Sequence, residues 1–264
     1  MRDSGLITKE IIIASYKDDL SFVHRFHEDI AVTIYEKGKG DDWKKQILED
    51  DVLTMRDFEQ RIDNTVYLPN IGVCSQVYLY HIANNYDSLA DINVFIAGDC
   101  LHDHKKGTPP NLKAFDIINK SDTLTPEYVN LSGKSGNFPL RGECYRFFNQ
   151  RAREVWRDLF EEECPRKFTP AIDSTFLVKR EAIHRRPVSF YEKALSYINE
   201  DCYRQDHWKM DYNGQFVSVM APCKKNLNKF PHKSPKHFDF AACSFFEHTF
   251  QKMFDIDFDQ CVVE

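Results

Sequence analysis

The sequence predicts an α/β fold with a mostly parallel central sheet flanked by helices, and two observations carry that expectation. The stretch from Asn70 to Asp99, NIGVCSQVYLYHIANNYDSLADINVFIAGD, reads as loop, amphipathic helix, turn, buried strand and an aspartate at the strand's end. Two more apolar runs, Glu10 to Ala14 and Ile30 to Tyr35, each close on a polar turn, as strands of β-α units do. Strands apolar on both faces belong to a sheet covered on both sides, and such sheets are largely parallel.

The elements follow in chain order. After the first strand comes the turn Ser15 to Asp19, and Leu20 to Phe26 then reads as helical. The second strand ends in the Lys37 to Gly40 turn, and Asp41 to Asn64 is a charged insertion whose alternating signs predict a solvated helix. In the central block Tyr78, Ile82, Tyr86 and Leu89 stack on one helical face, and Ile92, Val94, Phe95 and Ile96 form a strand closed by Gly98. An acid just beyond it, Asp99, sits where α/β sheets present their ligands.

Beyond Asp99 the pattern breaks into a long stretch containing Pro109, Pro110, Gly133, Gly136 and Pro139, which reads as a functional lid or a disordered loop. Order returns at Cys144, where Phe148, Ala152, Val155 and Leu159 mark an amphipathic helix ending in Glu161 to Glu163. Phe168 to Lys179 reads as loop and strand, and Pro187 opens a helix with Phe190, Ala194 and Tyr197 on its buried face. Phe246, Phe250 and Phe254, four residues apart, predict a final helix packed on the body or a partner surface.

Bulk properties narrow the function. A chain of 264 residues, 42% hydrophobic, can fold as one α/β domain with extensions or as two small ones. Its 35 basic and 41 acidic side chains leave a net charge of -6, so no global field draws in nucleic acid. The first ten residues carry no apolar signal core, and no run approaches the roughly 18 to 20 apolar residues of a membrane span. A soluble, cytoplasmic protein is expected. The eight cysteines form no C-x-x-C pair, which favours reduced thiols over disulfides or a zinc ribbon.

The central block resembles a known family, domain of unknown function family 3431 of bacteria, fungi and large algal viruses. That family's centre reads about N-x-G-R-E-x-x-x-Y-L-x-H-I, a tyrosine-aspartate-x-leucine turn, and a strand ending F-x-x-G-D. Asn70, Gly72, Tyr78, Leu79, His81, Ile82, Tyr86, Asp87, Leu89, Phe95, Gly98 and Asp99 stand in those places. Tyr16, Asp19, Leu20 and Phe22 match the opening; Phe176, Arg180, Glu181, Ile183, Arg186, Pro187, Phe190, Tyr191, Asp206 and Trp208 match the later half. Two departures stand out: Val73-Cys74 replaces an Arg-Glu pair, and Asp206 replaces a glutamate.

The resemblance implies a single GT-A-like, Rossmann-like glycosyltransferase domain over residues 1–264. Its family-like core would be 10–215, with a basic loop and a Phe-rich helix in 216–264. Such an enzyme would take a sugar from a nucleotide-sugar donor, a UDP-sugar first, to a glycan acceptor hydroxyl in surface or capsid glycan synthesis.

Each chemical role then has a candidate. Asp99, with His102 and Asp103, would hold Mn²⁺ or Mg²⁺ bridging the diphosphate. Asp206 would be the base that takes the acceptor proton, with Asp173 as the runner-up. Tyr16 and Asp19 would meet nucleobase and ribose, while Asn70 and Gly72 would bring backbone amides to a phosphate. Arg180, with Arg185 and Arg186, would grip phosphate, and the basic stretch Lys224 to His237 would close over the diphosphate. The alternative is a non-catalytic carbohydrate-binding or scaffolding protein that keeps the fold, motivated by Val73-Cys74.

Overall fold

The computed structural model describes residues 7–16, 18, 20–37, 62–68, 73–98, 112–132, 138–139, 150–165, 167–168, 175–203, 208–210, 216–218, 245–246 and 249–256. A six-stranded sheet organises them. Its strands are β1 (Lys9–Ser15), β2 (Ala31–Glu36), β3 (Asn64–Tyr67), β4 (Ile92–Ala97), β5 (Tyr128–Asn130) and, later in the chain, β8 (Phe176–Lys179). In space they run β3-β2-β1-β4-β8-β5. The pairs β1·β2, β1·β4 and β2·β3 are parallel, while β8 is antiparallel to both β4 and β5.

The sheet is therefore mixed: five strands share one direction and β8 runs against them. The reversal has no signature in the four residues FLVK, because an apolar strand reads the same in either direction. Two short antiparallel pairs complete the β structure: β6 (Phe138–Pro139) with β7 (Lys167–Phe168), and β9 (Trp208–Met210) with β10 (Phe216–Ser218).

Both faces of the sheet are covered, which is why Ile11, Ile12 and Ile13 of β1 are all fully buried. On one face lies α1 (Val73–Asn85), packed against α5 (Val188–Tyr203). Their shared core takes in Ile12, Tyr35, Tyr78, Ile82, Phe95, Phe176, Tyr191 and Ile198. On the other face, Phe22 and Phe26 and the Ala114, Phe115 and Ile118 side of α2 (Leu112–Lys120) cover Ile11, Ile13, Val32, Ile34, Val94 and Ile96.

Several expectations change. The helical reading of Leu20 to Phe26 narrows to a five-residue 3-10 helix, Ser21–Arg25, anchored by Phe22 and Val23. The central helix stops at Asn85, and Tyr86–Ser88 forms a 3-10 turn, so Tyr86 and Leu89 lie past its end. The stretch after Asp99 is not loop throughout, since α2 and β5 lie inside it, and β3 was not anticipated at all.

Other expectations hold. The helix starting after Pro187 is α5, with Phe190 N–H donating to Pro187 O at 3.0 Å. α3 (Gln150–Phe160) covers the described part of the expected amphipathic helix. It ends at Glu161, whose φ of 55° is left-handed and sends Glu161 to Glu163 out of the helix. Most of the charged insertion, 38–61, lies outside the described residues.

The carboxy-terminal phenylalanines pack inward. Phe245, Phe246, Phe250 and Phe254 are each 2% exposed or less. Phe176 sits among them and the sheet, with ring centroids 5.2 Å from Phe250, 5.1 Å from Phe95 and 5.3 Å from Tyr128. Burying one such ring contributes about 1.5–3 kcal/mol, so this segment belongs to the core.

Candidate functional site

Strand order singles out one edge of the sheet. From β1 the chain steps outward to β2 and β3, then returns to the other side of β1 as β4. Between β1 and β4 the connections diverge, and open α/β sheets bind ligands in the crevice at the carboxyl ends of strands at such a switch point.

At that edge β1 ends in Ser15, β2 in Glu36, β3 in Tyr67 and β4 in Ala97. Ser15 is register partner of Glu36, and Glu36 of Tyr67. The Ser15 hydroxyl donates to Glu36 Oε2 at 3.0 Å, with both residues at most 1% exposed. Lys37 N–H extends the ladder to Ser15 O at 2.9 Å, and Gly98 N–H reaches Ala14 O at 2.8 Å.

The loop after β1 folds back on itself. Tyr16 N–H donates to Asp18 Oδ2 at 2.9 Å, which holds the Asp18 carboxylate over Gly98. A Cβ added at Gly98 would lie 2.5 Å from Asp18 Oδ2 and 2.9 Å from its Cβ, so only glycine admits this approach. An acid from the β1 turn thus lies directly against the residue before Asp99. Tyr16 and Tyr67 are 49% and 55% exposed at the same edge.

Beneath α1 lies a buried polar group of the opposite character. His81, 2% exposed, turns Nδ1 to the Tyr35 hydroxyl at 3.0 Å, with the Asn85 amide nitrogen 3.4 Å away. The other ring nitrogen, Nε2, lies 3.7 Å from Glu10 Oε2, beyond hydrogen-bond reach. Burial pushes the His81 pKa down to about 4, so at neutral pH the imidazole is neutral and forms no ion pair with Glu10. Desolvation raises the Glu10 pKa against the bond from Thr33 Oγ1 at 2.7 Å, and it raises that of Tyr35.

Arg180 stands elsewhere. It opens α4 (Arg180–Ile183), donates to Leu89 O at 3.1 Å and pairs with Asp91, just before β4 begins. Six residues of β4 separate Asp91 from Gly98, about 20 Å at roughly 3.3 Å per residue. Arg180 is thus not gathered with the residues of the carboxyl edge, and Arg185 and Arg186 are paired too, with Glu127 and Asp255. The reason is local: β8 runs antiparallel to β4, so its end delivers the arginines to the amino edge.

Of the other expected site residues, Tyr16 is at the carboxyl edge. Asp19, Asn70, Gly72, Asp99, His102, Asp103, Asp173 and Asp206 lie outside the described residues, as does the basic stretch from Lys224 to His237. Among the described residues no group of three or more His, Cys, Asp or Glu side chains is arranged to hold a metal ion. Glu36 and Asp18 were not anticipated. Glu36 had one visible signal, a carboxylate closing an otherwise apolar strand, whereas Asp18 is beside the chosen Asp19 and its role emerges only from contact with Gly98.

A family model described as "Protein of unknown function (DUF3431)" matches residues 11–220. The chain belongs to that family. No curated protein and no solved structure matches it. The family match ends at residue 220, and the buried Phe245, Phe246, Phe250 and Phe254 lie beyond it. No helix among the described residues is long and apolar enough to cross a membrane.

Proposed function

We propose that this DUF3431 protein is a glycosyltransferase that moves a sugar from a nucleotide-sugar donor, a UDP-sugar first, to a glycan acceptor hydroxyl. The observation that carries the reading is the close approach of Tyr16, the Asp18 carboxylate and Gly98 at the carboxyl ends of β1 and β4, one residue before Asp99. Nucleotides bind mixed and parallel α/β sheets at such a point.

In this reading Tyr16 offers a ring to the nucleobase, and the buried Ser15–Glu36 pair fixes the end of β2 beside it. Asp99, His102 and Asp103 would hold Mn²⁺ or Mg²⁺, which when bound neutralises the departing diphosphate. Asp206 takes the proton of the acceptor hydroxyl as that oxygen attacks the sugar carbon, with Asp173 as the second candidate. Surface or capsid glycan synthesis in the cytoplasm is the proposed setting.

Donor hydrolysis in the absence of acceptor tests this reading. Slow release of UDP from a UDP-sugar is expected, and Asp99→Asn should abolish it; full turnover in Asp99→Asn removes the metal assignment. The second reading, a non-catalytic carbohydrate-binding protein, is favoured by one observation, the loss of the family's charged pair at Val73-Cys74. Donor binding with no transfer to any acceptor would select it.

A further inference from the structure

Glu10 and His81 face each other across the interface between β1 and α1 without touching. The Glu10 carboxyl accepts one bond, from Thr33 Oγ1, and its other oxygen stands 3.7 Å from His81 Nε2. With Nδ1 turned to the Tyr35 hydroxyl and the Asn85 amide, Nε2 is the ring atom left toward the carboxyl, and it has no hydrogen-bond partner among the described residues. A second polar atom beside Glu10 is in the same condition. Asn93 is the register partner of Glu10 on β4, two residues before Phe95 as Glu10 is two before Ile12, so both side chains stand on the face that α1 covers. Asn93 is fully buried and its Nδ2 donates to Ala90 O at 2.8 Å, while its Oδ1 has no partner among the described residues. Buried polar atoms normally find partners, and the gap here is the size of a missing hydrogen bond.

Charge explains what would fill it. With Glu10 ionised and His81 neutral, the pair carries one uncompensated negative charge in a largely buried place. One added proton makes the pair neutral, and a second would charge it again, so burial favours the one-proton state. Burial acts on the two members in that sense, raising Glu10 above its ordinary range and pushing His81 down to about 4. Asp63, just before β3, adds its charge to the pressure on Glu10. The other groups around the pair leave it alone: β2 offers the Tyr35 hydroxyl, with Tyr80 of α1 against the Tyr35 ring, and β4 offers Phe95. Arg180 is paired with Asp91, and Glu192 and Lys193 of α5 are exposed.

We propose that Glu10 and His81 form a proton-operated clamp, in which one proton shared between Oε2 and Nε2 closes the gap to a hydrogen bond and fastens α1 to β1 in mild acid. Loss of that proton at neutral pH opens the contact to the separation seen here. The proton comes from water, which reaches Glu10 through the 20% of its side chain that is exposed. The clamp goes beyond the nucleotide-sugar reading and does not depend on it.

Nitrogen-15 NMR of the imidazole rings of the full-length protein, titrated from neutral pH into acid, tests it, with His81→Gln identifying the His81 signals among those of the ten histidines. In wild type the Nε2 signal should move in a first step above pH 4.5, as the pair takes its proton, and in a second near pH 4, as the ring itself becomes charged. Glu10→Gln places a neutral amide where the protonated carboxyl would stand, so the first step should vanish and the second remain. A single wild-type step near pH 4, or a first step that survives Glu10→Gln, overturns the clamp. If Glu10→Gln does not fold, Glu10→Asp decides, because its carboxyl is one carbon too short to reach Nε2. The first step should vanish there too, and its persistence overturns the clamp.

Discussion

The two ends of the sheet use charge in different ways. At the amino end Arg180, Arg185 and Arg186 are paired with Asp91, Glu127 and Asp255, and Asp91 also accepts from Thr8 N–H and Oγ1 at 2.8 Å each. At the carboxyl end Asp18 is held by a backbone N–H against a glycine, and two tyrosines stand half exposed. The first arrangement ties β4, β5, β8 and the carboxy-terminal segment together. The second gathers an acid and two aromatic side chains at one edge of the sheet. Charge type alone did not distinguish them; what distinguishes them is which strand end each residue leaves.

Both ends hang on one core, so the largest effect should strike them together. Phe176→Ala should cost about 3–5 kcal/mol by urea unfolding, since the ring contacts Phe95, Tyr128 and Phe250. A loss under 1 kcal/mol would mean the carboxy-terminal segment packs elsewhere.

Next comes pH. His81 binds its proton less readily folded, with a pKa of about 4, than unfolded, near 6.5. The unfolded chain therefore holds more protons between those values, and His81 stabilises fully above pH 6.5 and loses that contribution as pH falls toward 4. The span is about 3 kcal/mol at 1.36 kcal/mol per unit. Glu10 acts oppositely, since its raised pKa favours the fold at low pH and that contribution fades as pH rises. His81→Gln should flatten the slope between pH 6.5 and 4; an unchanged slope contradicts the buried neutral imidazole.

Gly98→Ala sharpens the carboxyl end. Its Cβ must displace Asp18 and break the bond from Tyr16 N–H, at a cost of about 1–3 kcal/mol. Removing the obstacle in Gly98→Ala/Asp18→Ala should recover stability, and additive losses would show that the two residues do not meet. The smallest effect belongs to the amino end: Arg180→Ala should cost about 1 kcal/mol and leave nucleotide affinity unchanged. Weakened UDP binding in that variant would erase the distinction between the ends.

Long apolar runs were legible in the sequence because burial on both faces leaves no polar gap, as in Ile11 to Ile13 and Val94 to Ile96. β3 and β5, four and three residues long, were not, since neither length nor alternation separates them from loop. The direction of β8 was hidden for the same reason, and with it the position of Arg180. At the candidate site Tyr16 was legible as a turn residue after a strand. Asp18 was not, because its placement depends on a contact with a residue eighty positions away.

The most direct test of the central claim is thermal unfolding of the wild-type protein against a panel of nucleotide sugars, with and without Mn²⁺. A ligand that binds the folded state raises the melting temperature by mass action. A UDP-sugar that raises it, more so with Mn²⁺, is the predicted result. No shift with any nucleotide sugar under either condition would contradict a donor site at the carboxyl ends of β1 and β4.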